Sequence, residues 1–100
     1  MKTLQSFQAR TGEPLGAPQP ASTPEQVDAA ALAASEAFVG WSASSGATRG
    51  ALLRALAAAL EADREALVSL ADEETALGPV RLNGELDRTA FQLRRYADIA

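Results

Sequence analysis

A short segment rich in hydroxyl groups, 44–50, is a candidate anion site. It reads Ser-Ser-Gly-Ala-Thr-Arg-Gly and opens a predicted helix, where free backbone N–H groups could hold a phosphate. A phosphate-binding loop of the common kinds, however, follows a strand and carries a lysine or a fixed glycine spacing. This segment follows a predicted helix and has neither feature. The pattern therefore favours a turn between two helices, in which a hydroxyl caps the second helix.

The acidic stretch 72–74 (Asp-Glu-Glu) could be taken for a metal or acid–base site. Consecutive residues of a helix point in different directions, so three acids in a row make a poor joint site. The stretch also lies near the end of a predicted helix, where negative charge opposes the macrodipole and calls for a cation. We expect Arg81 and Arg88 of the next helix, with Glu85 between them, to form an ion-pair network with it.

Two further features indicate packing rather than chemistry. Ser69 does not fit the modified serine of a carrier protein, because Val68 precedes it and it lies inside a predicted helix. Phe38 and Trp41 share one face of the first predicted helix and could stack on a ligand. Aromatic residues at apolar helical positions are more often core, so we predict that Trp41 is a packing anchor.

The composition excludes several kinds of site. The 100 residues contain no Cys and no His, which rules out a thiolate nucleophile, a Ser-His pair and the usual zinc ligands within this sequence. The net charge of −4 is spread along the chain without a basic face, so neither nucleic acid nor an anionic membrane is an expected partner. The first residues carry no apolar run, and a cytoplasmic location is expected.

The small number of large apolar side chains limits the size of the hydrophobic core. Alanine accounts for 23 residues, which favours helix but buries little surface. A small, alanine-rich chain of this kind is expected to have a thin core. The helices are therefore predicted to pack against something outside the 100 residues.

Residues 1–22 are predicted to form an extended arm or a short β-hairpin. Pro14, Pro18 and Pro20 are incompatible with a helix interior, and residues 10–13 (Arg-Thr-Gly-Glu) form a turn pattern. The segment is thus separate in character from the helical part that follows.

Residues 23–100 are predicted to form about four helices. Thr23 is a strong N-cap, since Pro24 occupies the first helical position and Gln26 completes a capping box. Further helices are expected over about 47–61, over 64–77 with Asp63 as cap, and from 79 or 80 onward. The apolar period of the last helix is still running at residue 100, which predicts that the sequence is truncated there.

Several motifs in a fixed order carry a family resemblance. They cover nearly the whole sequence and comprise Thr11-Gly12-Glu13, Ala37-Phe38 with Trp41, LLRALA at 52–57, ADEETALG at 71–78, RLNGELDRT at 81–89 and Gln92-Leu93-Arg94. In this order they resemble the N-terminal part of NAD(P)-dependent aldehyde dehydrogenases. The stretch from Glu74 to Arg94 is most similar to the branch that oxidises 2-oxoglutarate semialdehyde (2,5-dioxopentanoate).

The resemblance implies a parent enzyme with an α/β fold, a Rossmann-like cofactor domain, a catalytic domain and an oligomerisation arm, assembled as a homo-oligomer. In such enzymes a cysteine attacks the aldehyde, hydride passes to NAD or NADP, and a glutamate helps water to release the acid. None of these groups maps onto this sequence. We therefore assign no catalytic, cofactor-binding or metal-binding residue here, Glu74 included.

The resemblance also implies the role of the segment. Residues 23–100 would be the helical part of the N-terminal, cofactor-binding domain, and residues 1–22 an arm at the edge of its sheet. Its partner would be the rest of the enzyme chain, and the segment alone would bind no cofactor and be inactive. The alternative is a stand-alone small helical protein that acts through contacts with a partner.

Overall fold

The fold is a two-stranded hairpin followed by four helices, seen in a computed structural model that describes residues 2–100. The antiparallel strands are β1 (Thr3–Phe7) and β2 (Pro14–Pro20). The helices are α1 (Pro24–Ser42), α2 (Gly46–Ala62), α3 (Arg64–Thr75) and α4 (Pro79–Ile99). The predicted class, mainly α after an N-terminal arm or hairpin, is confirmed.

The hairpin is irregular at its centre. Its register shifts between Leu4 and Ser6 of β1, where Gln5 faces a bulge in β2. Gly16 in that bulge has a φ of 72°, a conformation that favours glycine. The side-chain amide of Gln5 donates hydrogen bonds to the backbone carbonyls of Leu15 (3.2 Å) and Gly16 (3.1 Å). The side chain thereby replaces ladder bonds that the bulge interrupts.

Strand β2 is rich in proline, with Pro14, Pro18 and Pro20 among its seven residues. Proline has no backbone N–H and is tolerated in a sheet at an edge strand. Because the sheet has only two strands, β2 is such an edge.

Helix α1 begins as the sequence predicts. The Thr23 hydroxyl accepts from the Gln26 backbone N–H at 3.1 Å, and the Gln26 side chain accepts from the Thr23 N–H at 2.8 Å. This reciprocal capping box satisfies two backbone donors that the first turn would otherwise leave free.

No residue of α1 is buried by the rest of residues 2–100. Phe38 is 66% exposed and Trp41 is 41% exposed, so the prediction that Trp41 is a packing anchor is wrong for this chain. The helical spacing of the apolar residues identified a face correctly but not the neighbour that covers it. That neighbour is not among the described helices.

The small core lies where α2 crosses α4. It is formed by Ala57 of α2 and by Leu82, Leu86, Ala90 and Ala97 of α4. Gly50 is also buried, and a Cβ atom at that position would lie 3.0 Å from the Ala97 carbonyl oxygen. The two helices can approach this closely because small residues line the contact.

Helix α3 ends two residues earlier than predicted. Its C-cap is Ala76, which takes the left-handed conformation (φ 58°), and Gly78 (φ 91°) precedes α4. The Thr75 hydroxyl accepts from the Leu77 N–H at 3.3 Å within this turn. At the other end of α3 the side chain of Asp63 makes no capping hydrogen bond, so the predicted cap is wrong there.

Replacement of Gly50 by Leu is expected to destabilise the chain, because the added side chain must enter the close contact between α2 and the Ala97 carbonyl of α4. Overpacking of this kind costs about 1–3 kcal/mol. Gly84→Leu is the matched control, since Gly84 is also inside a helix but has nothing within 4 Å of the place where a Cβ atom would lie. Both changes bring the same gain in helix propensity, about 1 kcal/mol. Urea titrations followed by circular dichroism should give a lower midpoint for Gly50→Leu and an unchanged or higher one for Gly84→Leu; equal midpoints would contradict the packing.

The isolated chain is expected to self-associate or to melt broadly, because its helices leave large apolar side chains uncovered. Val27, Leu32 and Val39 of α1 are exposed in addition to its aromatic residues. Thermal melts at several protein concentrations, combined with sedimentation analysis, would test this. A sharp two-state transition of a monomer at low concentration would be the opposite result.

Candidate functional site

The hydroxyl-rich segment 44–50 closes on itself. Ser45 is the N-cap of α2, since its hydroxyl accepts from the Thr48 N–H at 3.1 Å and lies 2.9 Å from the Thr48 hydroxyl. The guanidinium of Arg49 donates to the carbonyl oxygen of Ser44. These contacts are those of a helix–helix turn, as the sequence predicts, and they occupy the Thr48 N–H, the Ser45 and Thr48 hydroxyls and the Arg49 guanidinium.

Asp72 is the centre of a polar cluster at the end of α3. Two nitrogens of the Arg10 guanidinium bind its two carboxylate oxygens, at 2.9 and 3.1 Å. The same guanidinium donates to the Asp72 backbone carbonyl at 3.3 Å, and the Gly78 N–H donates to the carboxylate at 2.9 Å. Beside it the Ala9 N–H donates to the Glu73 carbonyl at 2.9 Å. The cluster thus fastens the hairpin turn to the α3–α4 turn.

The predicted network between the acidic stretch and α4 is wrong. Asp72 is paired with Arg10, whereas Arg81 binds Glu85 of its own helix, with Nε 3.5 Å from Oε1. Among residues 2–100, Arg88 has no carboxylate within ion-pair distance. The cation needed at the end of α3 was correctly anticipated, but the hairpin turn supplies it. The Arg10 guanidinium reaches both the Asp72 carboxylate and the Asp72 backbone carbonyl, which lies in the last turn of α3.

The Arg10 contact lowers the pKa of Asp72 below its ordinary value, chiefly by hydrogen bonding of its carboxylate to Arg10 and next by the hydrogen bond from Gly78. Because the folded pKa is lower than the unfolded one, this stabilisation is present above the ordinary value of 3.8. It is lost as the pH falls through the folded pKa. The attachment of the hairpin should therefore weaken in acid.

Arg10→Met is expected to release the hairpin turn at neutral pH and to remove part of the acid sensitivity. The readout is the hydrogen-exchange protection factor of the Ala9 amide, which bonds to α3 beside the ion pair. In the unaltered chain this protection should be kept above pH 3.8 and should fall as the pH drops below that value, through the lowered pKa of Asp72. In Arg10→Met it should be low throughout.

Arg81→Met is the control for that experiment, because it removes an arginine that pairs only within α4. Its Ala9 protection should follow the unaltered chain at every pH. A loss equal to that of Arg10→Met would show that the hairpin is not held by the Arg10–Asp72 pair.

Other ion pairs join the helices to α4. Arg54 of α2 binds Asp98 at 2.7 Å, and Glu61 of α2 binds Arg94 at 2.5 Å. The hydrogen bond from Arg94 lowers the pKa of Glu61. These pairs lie at the exposed margin of the α2–α4 contact and have a structural role.

Helix α3 has its own tie to α4. The guanidinium of Arg64 binds Asp87 at 2.5 Å and the side-chain oxygen of Asn83 at 3.0 Å. Asn83 and Asp87 thus lie on the side of α4 that faces α3. Arg88, on the other side of α4, has no ion-pair partner among residues 2–100.

That other side of α4 borders an open groove of about 430 Å³, here called the α4 groove. It is lined by Leu53 of α2 and by Glu85, Arg88, Thr89, Gln92, Leu93 and Tyr96 of α4. Sequence reasoning did not single out this surface. The sequence did contain an indication of it. Arg81 and Glu85 are four residues apart on one helix and pair with each other, so Glu85 is not available as an ion-pair partner for Arg88.

Among residues 2–100 no group of three or more His, Cys, Asp or Glu side chains is placed to hold a metal ion. Within the same range no helix has the length and apolar character needed to cross a membrane.

The class of the protein follows from its sequence relationships. A sequence profile described as "Aldehyde dehydrogenase family" matches residues 1–100. The chain belongs to this family, which confirms the resemblance carried by its motifs.

Three relatives indicate the part of the family that the chain is similar to. An alpha-ketoglutaric semialdehyde dehydrogenase 2 of Azospirillum brasilense is 38% identical over 98 residues, which are 97% of this chain and 19% of that protein. An alpha-ketoglutaric semialdehyde dehydrogenase of Acinetobacter baylyi is 34% identical over 97% of the chain and 18% of its own length. A 2-aminomuconic semialdehyde dehydrogenase of Danio rerio is 38% identical over 96% of the chain and 20% of its own length. The chain therefore spans about a fifth of the length of these relatives.

Proposed function

We propose that this chain is the N-terminal scaffold segment of an enzyme that oxidises a semialdehyde to a carboxylic acid with NAD or NADP. The observation that carries the proposal is the family match over residues 1–100, combined with a coverage of only about a fifth of each relative. Two of the relatives are named for alpha-ketoglutaric semialdehyde, so 2-oxoglutarate semialdehyde is the proposed substrate.

In this proposal the 100 residues have a structural role, and the catalytic groups belong to the rest of the enzyme. The 100 residues contain no Cys, so the nucleophile that the family uses must come from elsewhere in the protein. Residues 1–22 are proposed to be an arm at a sheet edge, and residues 23–100 the helical part of the cofactor-binding domain. The uncovered apolar face of α1 supports this division, since it requires a neighbour outside the described helices.

Three finer points stay predictions: the choice between NAD and NADP, assembly as a homo-oligomer, and a cytoplasmic location. Each depends on parts of the enzyme beyond these 100 residues.

The test compares the complete protein with the 100-residue chain. The coding frame should continue past codon 100 into strands, a glycine-rich turn and a cysteine, and the complete protein should reduce NAD or NADP when given 2-oxoglutarate semialdehyde. The 100-residue chain should show no turnover. Turnover by the short chain would overturn the proposal, and a stop codon after residue 100 with a stable monomeric product would favour the stand-alone interaction module.

A further inference from the structure

We propose that the free edge of β1 binds a strand from the part of the enzyme chain that lies outside residues 1–100. This assignment rests on the proposed function, in which residues 1–22 are an arm at a sheet edge. It adds to that function which strand of the arm makes the contact and what kind of partner the strand accepts.

Two hydrogen bonds at the ends of the hairpin show how its ladder is arranged. The Gln8 N–H donates to the Glu13 carbonyl at 2.8 Å, and the Ala21 N–H donates to the Lys2 carbonyl at 3.0 Å. Along an antiparallel ladder, hydrogen-bonded pairs alternate with pairs that exchange no hydrogen bond. The pairs next to these two ends are therefore of the second kind, and their backbone N–H and C=O groups point away from the opposite strand.

The outward positions differ between the two strands. In β1 they are Thr3 and Phe7, with Gln5 between them by alternation. In β2 the residues opposite the two ends are Pro20 and Pro14. Proline has no N–H. The outer edge of β2 therefore lacks a donor at both places, whereas the outer edge of β1 has an N–H and a C=O at every second residue.

The fold of residues 2–100 does not use these outward groups. Outside the ladder, no backbone hydrogen bond in this range involves Thr3, Gln5 or Phe7. Strand β1 also contains neither a charged residue nor a proline, which are the usual features of a strand edge that stays exposed to solvent. The edge of β1 thus has the properties of one that is paired in the complete protein.

The length of the edge favours a strand of the same chain over a second molecule. Five residues of β1 extend over about 17 Å. Specific contacts between proteins bury about 1,200 Å² or more, which so short an edge does not provide by itself. A strand of the same chain needs less area, because the covalent connection keeps it close. The 100 residues correspond to 19% of the Azospirillum brasilense relative, so most of the enzyme chain is available to supply the strand.

The hairpin presents this edge in a fixed place. The Arg10–Asp72 ion pair fastens the hairpin turn to the α3–α4 turn, so β1 has a defined position relative to the helices. Leu4 is 64% exposed and Phe7 is 53% exposed, and alternation places them on opposite faces of the strand. A strand bound at the edge would give each of them a cross-strand neighbour.

Amide hydrogen exchange of the complete protein, resolved to single residues by fragmentation mass spectrometry, tests the pairing. The N–H groups of Leu4 and Ser6 point toward β2 and are the internal control. Those of Gln5 and Phe7 should be protected at least about 100-fold, because a partner strand would hydrogen-bond them. Free exchange of Gln5 and Phe7 beside protected Leu4 and Ser6 would overturn the pairing.

Thr3→Pro removes one outward donor, and Thr3→Val is the matched control because it keeps the N–H and a β-branched side chain. The hairpin itself should tolerate the proline, since β2 does not use the Thr3 N–H and proline is accepted at the first residue of a strand. In the complete protein, protection of the Gln5 amide should fall at least about 10-fold with Thr3→Pro and change less than about 2-fold with Thr3→Val. Equal protection in the two variants would count against the bound strand.

A photo-crosslinker identifies what lies at the edge. Benzoylphenylalanine incorporated in place of Phe7 should, on irradiation of the complete protein, link to residues of the same chain outside 1–100. Peptide mass spectrometry would then locate the partner strand. A band of doubled mass on a denaturing gel would mean that a second molecule covers the edge, and links confined to residues 1–100 would mean that nothing else does. Either result would overturn the assignment.

These measurements need no turnover, so they separate the assignment from the proposed function. A complete protein that oxidises 2-oxoglutarate semialdehyde but exchanges the Gln5 and Phe7 amides freely would overturn only the role of β1. A complete protein that protects these amides but oxidises no semialdehyde would overturn only the proposed function.

Discussion

The rest of the structure depends on the close approach of α2 and α4. Gly50 has no side chain at the point where the Ala97 carbonyl comes nearest, and the buried residues beside it are mostly alanines. At this separation Arg54 and Glu61 can reach their partners on α4 across the margin of the contact. The exposed pairs alone would be worth little, because surface ion pairs contribute only about 0–1 kcal/mol each. Their role is to fix the angle of two helices that small residues have already brought together.

An alanine-rich contact of this kind is geometrically specific but energetically weak. Alanine and glycine allow close packing without burying much apolar surface, and no large side chain is fully buried among residues 2–100. The larger apolar residues lie instead on faces that the described fold leaves open, above all on α1. The same division leaves one side of α4 free, which is where Arg88 and the α4 groove lie. Large apolar side chains are therefore left exposed by the contacts within residues 2–100.

Local features of the structure could be predicted from the sequence, whereas contacts between distant residues could not. The Thr23 capping box and the Ser45 cap depend on residues three positions apart, and both were readable from the pattern. The Arg10–Asp72 pair joins residues 62 positions apart. The spacing of apolar residues does not indicate that the hairpin turn folds back over the end of α3. The sequence therefore predicted that the cation beside Asp72 would come from the next helix, α4. For Trp41 the spacing indicated an apolar face, but a face does not reveal what covers it.

The prolines of β2 have a consequence for how the hairpin meets other chains. Hydrogen-bonded growth of a sheet needs regularly spaced N–H donors along its free edge, and three of the seven residues of β2 have none. A strand from another molecule would find an interrupted ladder there, whereas β1 contains no proline and keeps its donors. The hairpin is therefore protected on one side from the strand-to-strand aggregation to which an exposed edge is prone. Any sheet that it joins must be extended through β1.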